Sequence, residues 1–392
     1  MNITLVCDVL GEENNGTTVT TMNLARSMRA KGHVVNILCA DQDKKGNDGY
    51  FVCPNRSFGP FNGYVRHVGV TLAKPVESIV RKAIDEADVV HCMLPFALTK
   101  TAVRICNEIG KPVTAGFHCQ AENFSAYVCM KNLMPLNNFV YRLYHKKVFG
   151  KVDCVHYPSQ FIRDLFERKT SLTKGVVISN GVAEHFVPGN TEKPDDVKDK
   201  FVIVSTGRYA REKCQDVLIK AVGKSKYRDN IRLILAGKGI LDHKFARIAK
   251  RYGVDAQLAF FSRESMRNIL SYADLYVHTA VAELEGIAVL EAAHMGNAIV
   301  VADSDRAAPK DLARDERNLF KTGNAKDLAK RIDYWIEHPD EREECAKYYA
   351  THSSIEFASD CMDKMEEMFI RVIEEKKRAQ EIYIGEEVSN EG

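Results

Sequence analysis

The sequence contains no apolar run of about 18 residues, the length that a membrane-spanning helix needs. An excess of one charge is also missing: 55 Lys and Arg residues balance 53 Asp and Glu residues, so no overall field favours nucleic acid as a partner. The 11 cysteines include no close pair at metal-ligand spacing, which indicates reduced thiols in the cytosol. The first residues, Met-Asn-Ile-Thr-Leu-Val-Cys, are typical of a strand and not of a signal peptide. We therefore expect a soluble chain of 392 residues with two domains.

Strand and helix candidates alternate along most of the chain, which predicts an α/β fold with two doubly wound, Rossmann-like parallel sheets. The strand candidates lie at 3–7, 34–40, 89–93, 112–117, 154–157 and 176–179, and then at 201–205, 231–236, 258–261, 274–279 and 298–302. The predicted division is a first domain at 1–186, a polar surface linker at 187–200, a second domain at 201–352 and a terminal helix at 353–392.

The terminal segment carries an apolar stripe at helical spacing, formed by Phe357, Cys361, Met365, Met368 and Val372. Such a stripe needs a surface on which to be buried. We expect this helix to cross back over the first domain.

The dinucleotide-binding fingerprint G-x-G-x-x-G is missing as well, which argues against a nicotinamide-dependent oxidoreductase. The loop after the first strand contains Gly16 at the start of a helix, at the edge of the sheet where ligands bind. Glycine there lets the backbone approach a phosphate or a sugar, although glycine is common at such turns for structural reasons.

One strand, loop and helix in the second half hold two carboxylates, Glu283 in the loop and Glu291 in the second turn of the helix. The amides that follow Gly286 open the helix, and a helix N-terminus favours a phosphate. A carboxylate one turn further along the helix can accept hydrogen bonds from the two hydroxyl groups of a ribose. The alternative is that both glutamates are solvated, but Glu291 lies within the apolar stretch 287–293, where a carboxylate needs partners.

Two cations, Arg208 and Lys213, follow the first strand of the second half and are placed to neutralise a diphosphate. A solvated loop with an Arg211–Glu212 surface pair is an equally good interpretation of this segment alone. A glycine turn at Gly237 ends the next strand at the same edge of the sheet.

Taken in order, these pieces resemble the retaining glycosyltransferases of the GT-B fold, family 4. The motifs that carry the resemblance are Ser-Asn180-Gly181-Val, Gly-Arg208-x4-Lys213, Ala-Gly237-x-Gly239 and Glu283-x7-Glu291-Ala. The resemblance covers nearly the whole chain and implies two Rossmann-like domains facing a cleft, with a nucleotide-sugar donor and no cofactor.

The resemblance also implies roles for single residues. Arg208 and Lys213 are expected to hold the donor diphosphate and to stabilise the leaving nucleotide, and Glu291 to bind the ribose. Glu283 and the amides of Gly286 and Ile287 are expected to contact the donor sugar. In the first domain, His118 matches a position beside the reacting sugar, and Gly16 matches a glycine facing the phosphates.

The sequence departs from the family pattern at two places: Cys214 stands where a glycine usually follows the lysine, and Ser-Asp-Arg-Ala-Ala follows Asp303 in place of a glycine pair. The Asp303-Ser-Asp305 run resembles a metal-binding D-x-D, but we interpret it as a turn at a strand end and expect no metal. Paired carboxylates also occur in glycosidases, in which phosphate-directed cations would have no role.

The acceptor side is suggested by a basic, aromatic segment after His118. Glu122 and Tyr127 are candidate acceptor contacts, although an N-cap role is equally consistent with Glu122. Phe139, Tyr141, Tyr144 and Phe149 interleave with Arg142, Lys146, Lys147 and Lys151, and Leu136, Val140, Leu143 and Lys147 form one helical line. Such a helix either lies on an anionic membrane or packs on its own domain.

Similarity to bacterial diacylglycerol glucosyltransferases, in His118-x-Gln-x-Glu-Asn, Ala302-Asp-Ser-Asp and Asp315-Glu-Arg-Asn-Leu-Phe, favours a lipid acceptor. It implies transfer of glucose or galactose from a UDP-sugar by a peripheral enzyme on the inner face of the cell membrane. Two alternatives remain: a cytosolic family 4 transferase with a soluble-sugar or polyprenyl-linked acceptor, and a sugar-nucleotide-binding protein without turnover.

Overall fold

Two parallel sheets, each inside its own structural unit, confirm the predicted α/β class. The structure is a computed structural model that describes residues 1–10, 16–59, 72–122, 134–189, 191–352 and 356–390. Tyr127 lies outside these ranges. The first unit consists of Met1–Ala121, Asn132–Asn180 and Ser359–Gly392, and the second of Glu122–Lys131 and Gly181–Ala358.

The first unit contains a seven-stranded sheet in the order β3-β2-β1-β4-β5-β6-β7, with every neighbouring pair parallel. Its strands are β1 (Asn2–Cys7), β2 (Val34–Cys39), β3 (Tyr50–Val52), β4 (Val89–Cys92), β5 (Val113–Gly116), β6 (Cys154–Tyr157) and β7 (Gly175–Val177). Its helices are α1 (Gly16–Ala30), α2 (Glu77–Asp85), α3 (Ala97–Glu108), α4 (Met134–Tyr144) and α5 (Gln160–Lys169). Strands β4, β5 and β6 are buried along their whole length, as expected of central parallel strands covered on both faces.

The second unit contains a six-stranded parallel sheet in the order β10-β9-β8-β11-β12-β13. Its strands are β8 (Phe201–Thr206), β9 (Ile231–Ala236), β10 (Ala256–Ala259), β11 (Leu275–His278), β12 (Ile299–Asp303) and β13 (Leu319–Lys321). Its helices are α6 (Gln215–Val222), α7 (Asp242–Tyr252), α8 (Arg263–Tyr272), α9 (Ile287–His294), α10 (Ala325–Glu337) and α11 (Pro339–His352). Because β8 lies between β9 and β11, the loops that follow these three strands meet at one edge of the sheet.

The last helix, α12 (Ala358–Asn390), belongs to the first unit. Its buried side chains Cys361, Met365, Met368 and Val372 join the core formed by β1 and α1, as the apolar stripe predicts. Phe357 is the exception: it precedes the helix, pairs with Val182 in a β-bridge of the second unit and stacks edge-on against His294. Phe369, at 0% exposed, takes part in the buried face of α12 instead.

Within the predicted surface linker 187–200, most described residues are exposed, but two side chains contact the second unit. Val197 is buried at 4% exposure within its core. Lys193 forms an ion pair with Asp274 at 2.6 Å and donates to the carbonyl of Lys200. The units divide at Asn180 and Gly181, so this segment is part of the second unit.

No helix among the described residues is both long enough and apolar enough to cross a bilayer.

Candidate functional site

The loops after β8 and β11 form the charged edge of the second sheet. Two hydrogen bonds tie them together: the amide of Val281 donates to the carbonyl of Glu212 at 2.9 Å, and the Thr279 hydroxyl donates to the carbonyl of Lys213 at 2.8 Å. Neighbouring parallel strands thus bring Lys213 and Glu283, which are 70 residues apart in sequence, into direct contact.

The Lys213 ammonium donates a hydrogen bond to the Glu283 carboxylate, and Nε2 of His278 lies 3.3 Å from the same carboxylate oxygen. The side chains of Lys213 and Glu283 are only 19% and 17% exposed. Burial raises the pKa of Glu283, but the positive charge of Lys213 and the contact with His278 together lower it by a larger amount. The net pKa therefore lies well below its usual range. Glu283 is therefore an anion at neutral pH, held beside a cation.

The backbone of Glu283 is fixed by the segment that departs from the family pattern after Asp303. Its amide donates to the carbonyl of Arg306 at 3.1 Å, and its carbonyl accepts from the amide of Ala308 at 3.0 Å. The Ser304 hydroxyl donates to the carbonyl of Val281 at 2.7 Å. These bonds give the departing residues a clear structural part: they hold the Glu283 loop in place.

Arg208 lies at the start of the same edge, and its guanidinium contacts Glu212 at 3.2 Å. The alternative interpretation of this segment placed Glu212 at the surface, but its side chain is 5% exposed and pairs with Arg208. The Gln215 side chain donates to the backbone carbonyl of Arg208 at 2.8 Å. Neither Glu212 nor Gln215 was singled out from the sequence, although both follow a strand end within a few residues.

Gly237 and Gly239 allow the loop after β9 to touch the loop after β8. A Cβ at Gly237 would lie 2.0 Å from the carbonyl oxygen of Gly207, and one at Gly239 would lie 2.6 Å from that of Tyr209. The amide of Tyr209 also donates to the carbonyl of Lys238 at 2.9 Å. Close packing of two backbones is therefore a sufficient reason for both glycines, and the donor contact of Gly237 stays a prediction.

Helix α9 begins at Ile287, as the sequence predicts, and Gly286 precedes it with φ of +86°. Gly286 has no side chain with which to cap this N-terminus, and the helix begins at the same edge that holds Lys213 and Glu283. A Cβ at Gly286 would lie 2.4 Å from Cγ of Pro309. Both the left-handed backbone and the contact with Pro309 require glycine at this position.

Glu291 lies in the second turn of α9 and is partly buried. Among the described residues, no side chain hydrogen-bonds or ion-pairs with its carboxyl group. Burial raises the pKa of Glu291 to about 7, although Arg263 lowers it slightly. A desolvated carboxyl group of this kind is suited to accepting hydrogen bonds from the hydroxyl groups of a ligand.

In the first unit, His118 follows β5 and is 8% exposed. Burial and the neighbouring His156 lower the pKa of His118 to about 3, so its ring is neutral at physiological pH. Gly16 is the first residue of α1, and a Cβ added to it would meet nothing within 4 Å. Both residues thus lie at strand-to-helix connections of the first sheet, as predicted, and their contacts with a donor stay predictions.

Two family models divide the chain between them. The model of glycosyl transferases group 1 matches residues 189–352, and the model of glycosyltransferase family 4 matches residues 14–186. The chain belongs to this family of glycosyltransferases.

Sequence identity is low to two relatives that match most of the chain. The chain is 22% identical over 317 residues to the α-monoglucosyldiacylglycerol synthase of Streptococcus pneumoniae, which covers 76% of this chain and 70% of that protein. It is 24% identical over 317 residues to the phosphatidyl-myo-inositol mannosyltransferase of Mycobacterium tuberculosis, with 78% of each chain covered. The crystal structure of HepE from Anabaena with UDP and glucose has a TM-score of 0.71 at 17% identity, covering 95% of this chain and 100% of HepE. These likenesses confirm the GT-B fold class.

The segment on which this glycosyltransferase was predicted to bind its acceptor is only partly exposed. Tyr141 and Tyr144 on α4 are buried, and so is Phe149 in the π-helical turn that follows. Tyr141 and Phe149 pack with Phe117 and Phe166 in one aromatic cluster. For these three aromatic residues, packing on the domain itself is the correct interpretation.

The opposite face of α4 and of the π-helical turn after it (His145–Phe149) remains solvent-accessible. Phe139 is 62% exposed, and the side chains of Arg142, Lys146 and Lys147 are exposed as well. Of the predicted line, Leu136, Val140 and Leu143 are partly buried and lie between the two faces, whereas Lys147 is exposed. Glu122 is buried at 2% exposure, and its contact with an acceptor stays a prediction.

The Asp303-Ser-Asp305 run is paired within the protein. Lys310 contacts Asp303 at 2.7 Å and Asp305 at 3.0 Å. The two carboxylates thus share one ammonium group at the end of β12.

Proposed function

We propose that this glycosyltransferase moves a hexose, glucose or galactose, from a UDP-sugar to a lipid such as diacylglycerol at the inner face of the cell membrane, with retention of configuration. The observation that carries the proposal is the charged edge of the second sheet. There Lys213 and Glu283 lie beside the N-terminus of α9, where the N-cap residue is a glycine, and Glu291 follows one turn further along that helix.

The charges at this edge suit the departure of a nucleoside diphosphate. An ammonium group has three hydrogen-bond donors, so Lys213 can contact Glu283 and a phosphate at the same time. When the bond from the sugar to the diphosphate breaks, negative charge grows on the phosphate oxygens. Fixed donors from Lys213, Arg208 and the α9 amides stabilise that charge without rearranging.

Retention of configuration follows if the acceptor hydroxyl enters on the face that the diphosphate leaves. In this route the sugar becomes oxocarbenium-like, and the acceptor hydroxyl passes its proton to the departing phosphate oxygen. Glu283 is already ion-paired with Lys213, which favours its role in orienting the hexose over that of a free nucleophile.

The lipid acceptor is supported by the exposed stripe of α4 and by the two relatives, whose names describe glycolipid synthesis on diacylglycerol and on phosphatidylinositol. An exposed phenylalanine next to three exposed cations can insert a ring at the interface while the cations contact anionic headgroups. Charge complementarity therefore favours an anionic membrane as the surface that α4 contacts.

The transfer reaction is tested by incubating the purified chain with UDP-glucose, UDP-galactose and total bacterial lipid, and by analysing the extract for a new glycolipid. We expect one donor to give a monohexosyl lipid whose anomeric configuration equals that of the donor. UDP should also raise the melting temperature through mass action. Product with the opposite configuration would refute retention, and no thermal shift at millimolar UDP would refute the proposed donor.

Membrane contact is tested by sedimentation with vesicles containing anionic lipid at low salt. The wild-type chain should pellet with the vesicles, while a variant with Phe139→Ser, Arg142→Gln and Lys146→Gln should stay in the supernatant. The matched control carries Phe260→Ser, Lys326→Gln and Lys330→Gln, since Phe260 is 63% exposed and both lysines are exposed on the second unit. Wild-type protein that stays in the supernatant would indicate the alternative, a transferase with a soluble acceptor.

A further inference from the structure

Three histidines that are far apart in the sequence meet inside the first unit. His91 lies on β4, His156 lies on β6, and His118 follows β5 between them. The register places His91 opposite Thr114 and His156 opposite Gly116, and side chains two residues apart in a strand share one face. All three imidazoles therefore project from the same face of the sheet near its carboxyl edge.

Two of the rings are held by hydrogen bonds that fix the protonated nitrogen. Nδ1 of His91 lies 2.8 Å from the Thr114 hydroxyl, and that hydroxyl in turn contacts the carbonyl of Val90 at 3.4 Å. Nε2 of His156 donates to the carbonyl of Ile178 at 2.7 Å. If each of these nitrogens carries the hydrogen, Nε2 of His91 and Nδ1 of His156 each keep a lone pair.

The remaining nitrogens are buried and lack a partner in the part of the chain that the structure describes. They are Nε2 of His91, Nε2 of His118 and Nδ1 of His156. The rings themselves are 0%, 8% and 3% exposed. Buried polar atoms are normally hydrogen-bonded, so three such atoms in one cluster call for an explanation.

The distances suit a shared ligand. One nitrogen of each ring lies within 4.8 Å of a nitrogen of both other rings. Two nitrogens bound tetrahedrally to the same zinc ion are about 3.4 Å apart, given bond lengths near 2.1 Å. Side-chain rotations that move each ring nitrogen by about an ångström would bring the three nitrogens to this spacing.

Gly116 leaves the space that the site needs. A Cβ there would lie 2.4 Å from Nε2 of His118 and 3.3 Å from Nε2 of His91. The backbone is therefore bare where these two nitrogens converge. On another side, the ring of Phe369 packs edge-on against His91 at 5.3 Å, which shields the cluster with an apolar wall.

We propose that His91, His118 and His156 bind one divalent transition-metal ion of the zinc class, with a water molecule as the fourth ligand. Three neutral imidazoles with an open fourth position are an established zinc ligand set. The hydrogen bonds to the Thr114 hydroxyl and to the Ile178 carbonyl match the outer-shell contacts that orient metal-bound histidines. This proposal rests on the first unit alone. It gives His118 a metal ion in place of the donor-sugar contact that the family resemblance implies, so its test measures bound metal and not transfer.

The test measures metal content directly. The chain is purified without a polyhistidine tag or a metal column, stripped with a chelator, dialysed and titrated with Co²⁺ and with Zn²⁺. We expect about one equivalent per chain, a visible d–d absorption with Co²⁺, and a rise in melting temperature with Zn²⁺ that Mg²⁺ does not produce. Thiolate-to-cobalt absorption in the near ultraviolet would indicate cysteine ligands instead and would overturn the proposal.

His91→Ala and His156→Ala should each reduce bound metal at least tenfold, since two ligands remain. His243→Ala is the matched control, because His243 is exposed on α7 and should leave the stoichiometry unchanged. If the substitutions unfold the protein, the titration of the wild-type chain still decides the matter. Binding of less than a tenth of an equivalent by the wild-type chain, or full binding by both folded variants, would show that the histidines share only hydrogen bonds.

Discussion

The carboxyl edges of the two sheets have the same parallel topology and very different chemistry. At the second edge, charges come in pairs, with Lys213 on Glu283 and Arg208 on Glu212. At the first edge, burial lowers the pKa of His118 to about 3 and that of His91 well below its usual value, so the cluster is neutral. One edge offers fixed charge to an anion, and the other offers lone pairs to a cation or a hydroxyl group.

This difference teaches that the fold determines where a ligand binds, while the side chains at the strand ends determine which ligand it is. Paired charges inside a protein are costly to separate, so they keep the second edge rigid and ready for a diphosphate. Neutral imidazoles can be buried at less cost, and this explains how three of them fit beneath a sheet edge.

The largest effect is expected for Lys213→Ala at the second edge. Loss of one charged donor to the leaving diphosphate should reduce kcat by about 10²–10³-fold. Steady-state transfer from the donor identified by the lipid assay is the measurement, and Lys330→Ala, which removes an exposed lysine of α10, should have no effect. The variant also leaves Glu283 buried without its ammonium partner, so the double variant Lys213→Met with Glu283→Gln should recover stability but not activity. Activity within threefold of wild type would rule out the assigned role of Lys213.

Replacing one glycine by alanine at each edge compares the cost of a clash with the backbone to the cost of a clash with a side chain. A Cβ at Gly237 meets a backbone carbonyl at 2.0 Å, whereas a Cβ at Gly116 meets a histidine ring at 2.4 Å. A ring can rotate and a carbonyl in a tight turn cannot, so Gly237→Ala should destabilise its unit by about 3 kcal/mol or more and Gly116→Ala by about 1–2 kcal/mol. Urea unfolding measures both, with Gly16→Ala as the control at an open position. The reverse order of the two effects would contradict this account of the edges.

The fold could be predicted from the sequence wherever strands were buried and helices had clear ends. Helix α9 was predicted at its observed start, and the strands β6 and β9 were predicted at their observed bounds. The sequence did not predict the edge strands β3 and β13, which have three residues each; β7 is equally short and was predicted. Strand β10 was placed two residues too late, because its apolar pattern points to Phe260, which is exposed beyond the strand.

The sequence motifs named Arg208, Lys213, Glu283 and Glu291 as candidates, but they did not predict which of these side chains pair. The contact between Lys213 and Glu283 depends on which strands are neighbours, and the sequence alone does not give that order. The histidine cluster shows the same limit more clearly. Only His118 was singled out, because the register that sets His156 opposite Gly116 appears only once the strands are paired.

Glu291 provides a smaller effect that depends on pH. Its pKa is raised to about 7 from 4.5, so the stability it contributes is fully present below pH 4.5 and is lost as the pH rises through 7. Glu291→Gln removes this penalty and should stabilise the second unit at pH 8 by up to about 3 kcal/mol, with almost no effect at pH 4.5. Thermal unfolding of the ligand-free chain across this range is the measurement, and Glu264→Gln, an exposed carboxyl group on α8, is the control. An equal gain at both pH values would show that the carboxyl group is not desolvated.

The smallest effect concerns Cys214, where the chain departs from the family pattern. Cys214 has φ of +52° and ψ of +32°, and among the described residues it alone combines a side chain with a positive φ. This left-handed conformation costs a residue with a Cβ about 1–2 kcal/mol. Glycine avoids that cost, but it also makes the unfolded chain more flexible, which cancels part of the gain in stability. Cys214→Gly should therefore stabilise the second unit by about 0.5–1 kcal/mol, whereas Cys214→Ala, which removes the thiol but keeps the Cβ, should give no gain. Equal melting temperatures for the two variants would mean that the turn after Lys213 carries no backbone strain, and that the family's glycine is there for the ligand and not for the fold.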